Sequence, residues 1–480
     1  MQSLEPQFIF GDCSQGVVNN VKYNLVQPNS VDLGVNIVFD ENLGEATIRR
    51  GTTIIGAALH ASSNAIQGIF QFTNSSGSIS RLLATVDNGS NNVTYYWNGT
   101  IWTAGLTTDT RSLPTRFEQF LNYVVRVNGT DSVVSSADGA SWTQNTPLDD
   151  SNFPNGKFVL VYKDQMTVAG RGSKPDSLFV SSVPNATGTA ISWSTGDREI
   201  VVNPEDGQNI TGLAKIAGLE LIFKDRSMFT WNNHSTQADS LVDVGCSSQE
   251  SVVRCGNVVS FFNPKGVWIT TGGQPILISR RIQKWIDGMS ASFYDNVGSY
   301  GDAEHLYTSL GTCTVDGTSY TGVVSRYSLN TKEWAIFSYA HQFRAFTLFV
   351  DSATEKIVGG DSLNTVYQVE SSSLTDNTTL ISFEIKTHDL VFGSRGILKQ
   401  ISERAMAYGK DVVNGIIQVK IDEKDWITLG VLNKNIEEFL INQTLEGHYF
   451  KFRVVGASST VRGRFLGLEL PRVTLLDYSA

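Results

Sequence analysis

The sequence has little charge, few cysteines and no long apolar run. Charged residues make up 18% of the 480 positions and hydrophobic residues 41%, which is enough apolar surface for real cores and is not a disordered composition. No uninterrupted apolar stretch approaches the roughly 18 to 20 residues that cross a bilayer. The first six residues have neither the basic start nor the apolar core of a signal peptide. We therefore expect no membrane segment, and folding in a cytoplasm.

Positive charge is also scarce. The formal net charge is −10, and no basic stripe is visible along the chain. Proteins that bind nucleic acid tightly neutralise phosphates with clustered Lys and Arg. The negative net charge therefore argues against tight DNA or RNA binding. The negative net charge is compatible with nucleic acid that moves past the protein without binding, because an acidic surface repels phosphates.

Cysteine is too rare for a disulfide framework. The four cysteines, Cys13, Cys246, Cys255 and Cys313, include no Cys-x-x-Cys pair. Cys246 and Cys255 could lie on neighbouring strands, but we expect all four to be buried free thiols.

Catalytic and metal-binding motifs are missing from the sequence as well. The six histidines show no zinc-ligand spacing; they are His60, His234, His305, His341, His388 and His448. No Gly-x-Ser-x-Gly elbow occurs. Residues 170–174 only faintly resemble a phosphate loop, and the acidic turns at 205–207 and 422–425 lack EF-hand spacing. We predict a protein that is not an enzyme, with no cofactor, no metal and no assigned site residue; a metal site built from distant residues is a minor alternative.

What the sequence does contain is short alternation of apolar and polar residues, broken by Gly, Asn, Asp and Ser. Residues 124–130 and 266–273 are typical, and period-2 runs of about five residues between turn formers predict strands and hairpins. The best helical candidate spans residues 279–288, where Ile282, Trp285 and Ile286 share one helical face. A weaker helical candidate lies at residues 116–121.

Four turns place Trp four positions after Asn or Asp: Asn98 to Trp102, Asp138 to Trp142, Asn330 to Trp334 and Asp422 to Trp426. Asn and Asp tolerate the backbone of tight hairpins, and the Trp ring then covers the returning strand. The motif predicts hairpins in general, because its fourth copy lies outside the region described next.

Tryptophan also recurs with a period. Positions 102, 142, 193, 231, 268 and 334 are separated by 40, 51, 38, 37 and 66 residues. A unit of about 40 to 50 residues with four short strands is typical of a propeller blade. The 66-residue gap could contain an insertion or a degenerate blade. We predict an all-β fold with a β-propeller of five to seven blades over residues 52–372; a stack of β-sandwiches is the alternative.

The ends of the chain complete the predicted organisation. Residues 371–379 are polar and without periodicity, and residues 373–480 read as strands of one small β-sandwich. Residues 1–51 are predicted to be an extended segment leading into the first blade. Whether this segment packs on the propeller or reaches an adjacent subunit stays open at this point.

Two further patterns bear on glycans. Ten Asn-x-Ser/Thr sequons occur, which we attribute to turn-rich composition; they begin at Asn74, Asn88, Asn92, Asn98, Asn128, Asn185, Asn209, Asn233, Asn377 and Asn442. Residues 136–142, Ser-Ala-Asp-Gly-Ala-Ser-Trp, resemble the Asp-box hairpin of sialidases, one residue short. A glycan-binding or sialidase-like propeller is therefore the alternative function.

A family resemblance favours another function. Residues 35–51 resemble the opening of tail-nozzle or packaged-DNA stabilisation propellers of short-tailed phages. The match is carried by Asn36, Phe39, Asp40, Gly44, Arg50 and Gly51. Residues 210–231, 245–250, 267–274 and 281–288 are similar to later parts of the same family.

The resemblance implies a structural virion protein of the head-to-tail connector or tail, assembled in the host cytoplasm. Six copies would form a ring, a nozzle or stopper, that retains packaged DNA and permits its ejection. Implied partners are further copies of this chain, connector or adaptor proteins, tail fibre or needle proteins, and double-stranded DNA that passes without sequence-specific binding. The family has no catalytic residues to carry over. We expect acidic loops to line the ring's channel.

Overall fold

The computed structural model describes residues 2–21, 25–26, 29–42, 44–61, 64–194, 198–204, 206–233, 235–351, 353–412, 414–458 and 460–476. Strands dominate throughout these ranges, as the alternating sequence pattern predicts.

The first three blades follow one another as antiparallel meanders. The first contains Ile66–Thr73, Ser80–Asp87, Asn92–Trp97 and Trp102–Asp109; the second contains Arg116–Phe120, Tyr123–Val127 and Val134–Ser136; the third contains Phe158–Tyr162, Gln165–Arg171, Lys174–Val180 and Arg198–Val201.

Four further meanders continue the series. The fourth contains Ile210–Ile216, Leu219–Lys224, Met228–Trp231 and Asp239–Val242; the fifth contains Val253–Cys255, Val258–Asn263, Gly266–Thr270 and Ile276–Leu277; the sixth contains Ser299–Gly301, His305–Val315, Thr318–Ser328 and Trp334–Ser338; the seventh contains Phe343–Asp351, Thr354–Asp361 and Val366–Val369, joined by Thr53–Ile54.

The first strands of successive meanders contact one another, and Phe343–Asp351 contacts Ile66–Thr73, which closes a circle. Six of the meanders are separate sheets of three or four strands, whereas the sixth in chain order is part of a nine-stranded sheet. The fold is therefore a β-propeller with six self-contained blades and one circle position filled by the meander that continues into the neighbouring unit. The predicted radial architecture of five to seven blades is confirmed.

The circle is closed by strands from both ends of the propeller sequence. Tyr367 and Gln368 in the seventh blade pair with Ile54 and Thr53. Because these N-terminal residues supply the outer strand of the last blade, opening the ring would break a sheet as well as a blade-to-blade contact.

The second unit is the predicted sandwich, with two packed sheets. One sheet contains Ser382–Lys386, Phe450–Ala457, Gly415–Ile421 and Trp426–Leu432, and reaches the sixth meander through Leu33–Val35; the other contains Leu398–Lys410, Ile436–Gly447, Arg464–Leu470 and Val473–Leu476 with Gln2–Ser3, Gln7–Ile9, Ile37–Val38 and Ala46–Ile48. A short ladder, Thr375–Asp376 with Thr379–Leu380, precedes it.

The N-terminal segment thus belongs to this sandwich. Its strands lie in both sheets and pair with Arg464–Leu470, Val473–Leu476 and Ser382–Lys386. It packs on its own chain along the described residues, and does so as paired strands rather than as the extended segment that we expected. The domain boundaries at residues 51 and 372 stay a prediction.

Helical structure is short. The helical elements bounded within the described residues are Gln283–Asp287 and the 3-10 turns Thr146–Leu148, Gln249–Ser251, Ser279–Ile282 and Ala291–Asn296. The candidate at residues 279–288 is confirmed, and its three apolar side chains, Ile282, Trp285 and Ile286, are fully buried. Ser279–Ile282, Gln283–Asp287 and Ala291–Asn296 lie in the 66-residue gap between Trp268 and Trp334, ahead of the strands of the sixth meander, so the gap contains an insertion.

The second helical candidate is wrong. Arg116–Phe120 is a strand that pairs antiparallel with Tyr123–Val127. Leu121 and Asn122 form the tight connection with φ angles of 48° and 70°, a left-handed pair that ends one strand and starts the next. Tertiary pairing outweighs the weak helical periodicity there.

Candidate functional site

A group of charged side chains lies in the centre of the propeller. A cavity of about 340 Å³ is lined by residues from the first strand of every meander in the circle, among them Phe70, Phe117, Leu160, Leu213 and Phe346. A propeller's channel is where loops and strand ends from all blades converge, so this cavity is the candidate site.

Arg116 and Glu250 form a double ion pair in this cavity. Arg116 Nε lies 2.8 Å from Glu250 Oε1, and Nη2 donates to Oε2 over 3.1 Å. The guanidinium also lies 4.7 Å from the centre of the Phe158 ring. Arg116 is in the second blade, whereas Glu250 belongs to the turn before the fifth blade. The pair therefore joins opposite parts of the circle across the channel.

Three other charged side chains line the same cavity: Glu118, Lys215 and Arg254. Burial raises the pKa of Glu118 to about 7, although Lys215 and the backbone N–H of Gln119 oppose the rise. Lys215 Nζ donates to the Val161 carbonyl over 3.0 Å. The Glu118 carboxyl can therefore exchange a proton near neutral pH.

A second, larger cleft of about 1040 Å³ lies beside the sandwich. Its walls include Phe8 and Phe10 from the N-terminal segment, and Leu390, Phe392 and His388. Burial lowers the pKa of His388, which keeps its imidazole neutral. Phe10 and Phe392 adopt positive φ angles of 58° and 42°, which is unusual for bulky residues.

Asn36, one of the residues that carry the phage resemblance, lies between the sixth meander and the sandwich. Asn36 accepts hydrogen bonds from Arg49 Nε at 2.7 Å and Ser338 N at 2.7 Å, and donates to the Ser382 carbonyl at 2.6 Å. Arg49 donates to both carboxylate oxygens of Asp376 at 2.9 and 2.7 Å. We call Asn36, Arg49, Ser338, Asp376 and Ser382 the joint, because they connect the sixth meander to the sandwich.

Asp40 and Gly51 complete this region. Asp40 pairs with Arg326 and, at 2.7 Å, with His305 of the sixth meander. Burial alone would raise the pKa of Asp40, but the His305 hydrogen bond and the Arg326 charge lower it to about 2. A Cβ on Gly51 would lie 2.0 Å from the Thr375 carbonyl oxygen, so only glycine fits there. Phe39 is fully buried.

The Asp-box-like hairpin has a structural role in the described residues. Asp138 Oδ1 accepts hydrogen bonds from the backbone N–H groups of Ala140 and Ser141, at 2.9 and 2.8 Å. The residue also pairs with Arg81 at 3.5 Å. Its carboxylate is occupied by its own turn and is not part of the central cavity.

The other weak sequence signals are dispersed. Residues 170–174 form a hairpin between two strands of the third blade. In the acidic turn at 205–207, Asp206 pairs with Lys224 at 2.8 Å, and Glu205 lies outside the described residues, as does His234. Cys13, Cys246, Cys255 and Cys313 are all buried and free.

Along the described ranges no three His, Cys, Asp or Glu side chains are grouped to hold a metal ion. In the same part of the chain no helix has the length and apolarity needed to span a bilayer.

Sequence reasoning did not find the channel residues. Arg116 and Glu118 stand in a segment that the periodicity assigned to a weak helix, and their partners lie about 100 or more positions away in the chain. Only the alternation Arg-Phe-Glu-Gln-Phe, which puts both charges on one face of a strand, could have signalled them.

No family model matches the chain, and no curated protein matches it. Among solved structures, BamB of Moraxella catarrhalis is similar at 10% identity, with 70% of this chain and 94% of that chain covered and a TM-score of 0.37. Sqt1 of Saccharomyces cerevisiae is similar at 8% identity, with 65% and 99% covered and a TM-score of 0.39.

A GH74 enzyme of Niastella koreensis is similar at 13% identity, with 65% of this chain and 43% of that chain covered and a TM-score of 0.39. The chain thus spans less than half of that enzyme. Identities this low concern the fold alone, and scores this low carry no argument about activity. The propeller assignment follows from the closed circle of sheets.

Proposed function

We propose that this chain is a structural subunit of a phage virion. Copies of it, six in number, form a ring around the DNA channel at the head-to-tail connector, retain the packaged DNA and permit its ejection. Connector or adaptor proteins and tail fibre or needle proteins are its neighbours in this proposal.

The observation that carries the proposal is the joint together with Asp40 and Gly51 beside it. Three residues of the phage-like pattern make these contacts: Asn36 and Asp40 bind the buried Arg49 and Arg326, and Gly51 fits against the backbone of Thr375. The pattern therefore encodes a fixed connection between propeller and sandwich. A wall that holds DNA against pressure needs such a connection.

Net charge and one sheet edge support the same function. A chain with a net charge of −10 repels phosphates, so that DNA slides. The edge strand Trp426–Leu432 carries no ionisable residue, whereas exposed edges are normally protected by charge or proline. Val431 of this strand is exposed, and we assign the edge to contact between neighbouring copies.

Imaging of the purified full-length chain tests the proposal. We expect six-fold rings with a central opening, and fewer rings with Val431→Lys. The matched control is Leu363→Lys, which changes an exposed leucine in a loop of the seventh blade and should leave the rings intact.

A chain that stays monomeric at all concentrations would contradict the ring. Hydrolysis or tight binding of sialylated glycans would favour the glycan-active alternative instead.

A further inference from the structure

The central cavity of the propeller has the opposite charge balance to the chain as a whole. The chain carries 37 Lys and Arg against 47 Asp and Glu. The charged residues that line the cavity are three cations and two acids: Arg116, Lys215, Arg254, Glu118 and Glu250. An acidic protein thus surrounds a cavity in which cations are in excess.

Two of these cations have no carboxylate partner. Lys215 Nζ donates to the Val161 carbonyl at 3.0 Å, and Arg254 Nε donates to the Gly256 carbonyl at 3.0 Å. Within the described chain, no carboxylate oxygen lies within the 4.0 Å ion-pair distance of either side chain. Both side chains are exposed, so they can turn toward a ligand without breaking an ion pair.

The acids do not cancel this charge near neutral pH. Glu250 is already held by Arg116 at 2.8 Å. Burial raises the pKa of Glu118 to about 7, so a large share of it is uncharged at neutral pH. A protonated Glu118 is also a hydrogen-bond donor.

The rest of the wall is mostly apolar. Ile69, Phe70, Phe117, Leu160 and Phe346 line the cavity between the charges. Walls of low polarisability strengthen the field of the unpaired cations. A volume of about 340 Å³ accommodates a small molecule and excludes duplex DNA, which has a diameter far larger than the cavity.

We propose that the central cavity of the propeller binds a small oxyanion, a compound with a carboxylate or phosphate group, through Lys215 and Arg254. This site is separate from the proposed ring and does not depend on it. Ring formation and anion binding are measured independently, so either can fail alone.

Isothermal titration of the full-length chain with citrate and, separately, inorganic phosphate at low ionic strength and pH 6 tests the site. We expect saturable one-to-one binding of at least one probe. Lys215→Met and Arg254→Met should each weaken it by about tenfold or more, the size of one charge-assisted hydrogen bond. Lys434→Met removes an exposed lysine in a sandwich turn and is the matched control.

The pH dependence supplies a second readout. The groups that face Glu118 in the cavity are Arg116, Lys215, Glu250 and Arg254. With sulfate, whose charge does not change in this range, affinity should fall as pH rises from 6 to 8, because Glu118 ionises and repels the anion, and Glu118→Gln should flatten this fall. Absence of binding for both probes, or an equal loss in Lys434→Met and Lys215→Met, would overturn the proposal.

Discussion

Buried charged side chains have all their hydrogen bonds at the joint but lack some of them between the blades. At the joint, every nitrogen of the Arg49 guanidinium donates a hydrogen bond. Nε donates to Asn36, Nη1 donates to Asp376, and Nη2 donates to Asp376 and the Ser338 carbonyl. The guanidinium also lies 3.9 Å from the centre of the Tyr339 ring. This buried charge is completely satisfied.

Between the first and second blades, Asp109 and Arg126 are paired at 2.7 Å. However, Asp109 Oδ2 and Arg126 Nε and Nη1 have no hydrogen-bond partner in the described residues. Between the third and fourth blades, Glu220 Oε1 accepts a hydrogen bond from Thr167 at 2.8 Å, while its Oε2 has no partner there.

The difference shows which contacts specify geometry. Hydrogen bonds to a planar guanidinium fix direction as well as distance, so the joint permits one orientation of the sandwich. The blades pack through matched apolar faces. The buried charges between them contribute little to stability, because their attraction barely offsets the cost of desolvation.

The largest effect should come from breaking the joint. Arg49→Met leaves Asp376 buried without its partner. We expect the free energy of unfolding, measured in urea, to fall by about 3–5 kcal/mol. Arg404→Met, in the exposed pair with Glu438 at 2.7 Å, should cost about 0–1 kcal/mol. Equal losses in both variants would remove the distinction between the joint and an ordinary surface pair.

A second effect, with a defined pH dependence, should appear at Glu220. Burial raises the pKa of this carboxyl from its ordinary value of 4.5 to about 8. The folded state therefore holds a proton that the unfolded state has lost, and Glu220 destabilises the fold progressively as pH rises from about 4.5 to 8.

Glu220→Gln removes this titration. We expect the variant to match the parent at pH 4 and to exceed its free energy of unfolding at pH 9 by up to about 5 kcal/mol, because each unit of pKa shift corresponds to about 1.4 kcal/mol. Thermal unfolding across this pH range measures the difference. A gap between variant and parent that does not change with pH would mean that Glu220 is not protonated in the fold.

How much of the fold and of the candidate site could be predicted from the sequence depends on how far apart in the chain the contacting residues lie. Trp102, Trp231 and Trp334 predicted blades correctly because hairpins and a repeat period are local signals. Asn98 confirms the turn reasoning, since its side chain accepts from the N–H groups of Thr100 and Ile101 at 2.9 Å.

The long-range pairings left no such signal. Thr53–Ile54 completes a blade more than 300 positions away, and its two residues carry no pattern of their own. The channel charges likewise come from strands that only the closed circle brings together. The joint was partly visible in the sequence: Asn36 and Arg49 lie in the stretch that carries the family resemblance, whereas Ser338, Asp376 and Ser382 gave no signal.

The smallest effect should come from replacing both members of the blade-to-blade ion pair. Burial raises the pKa of Asp109 to about 6 in spite of Arg126, so this pair does not offset its own desolvation. We expect Asp109→Leu with Arg126→Met to lie within about 1 kcal/mol of the parent in urea unfolding, while each single change, which strands one buried charge, costs more. If the double variant were as unstable as Arg49→Met, charges between blades would specify geometry as strictly as those of the joint.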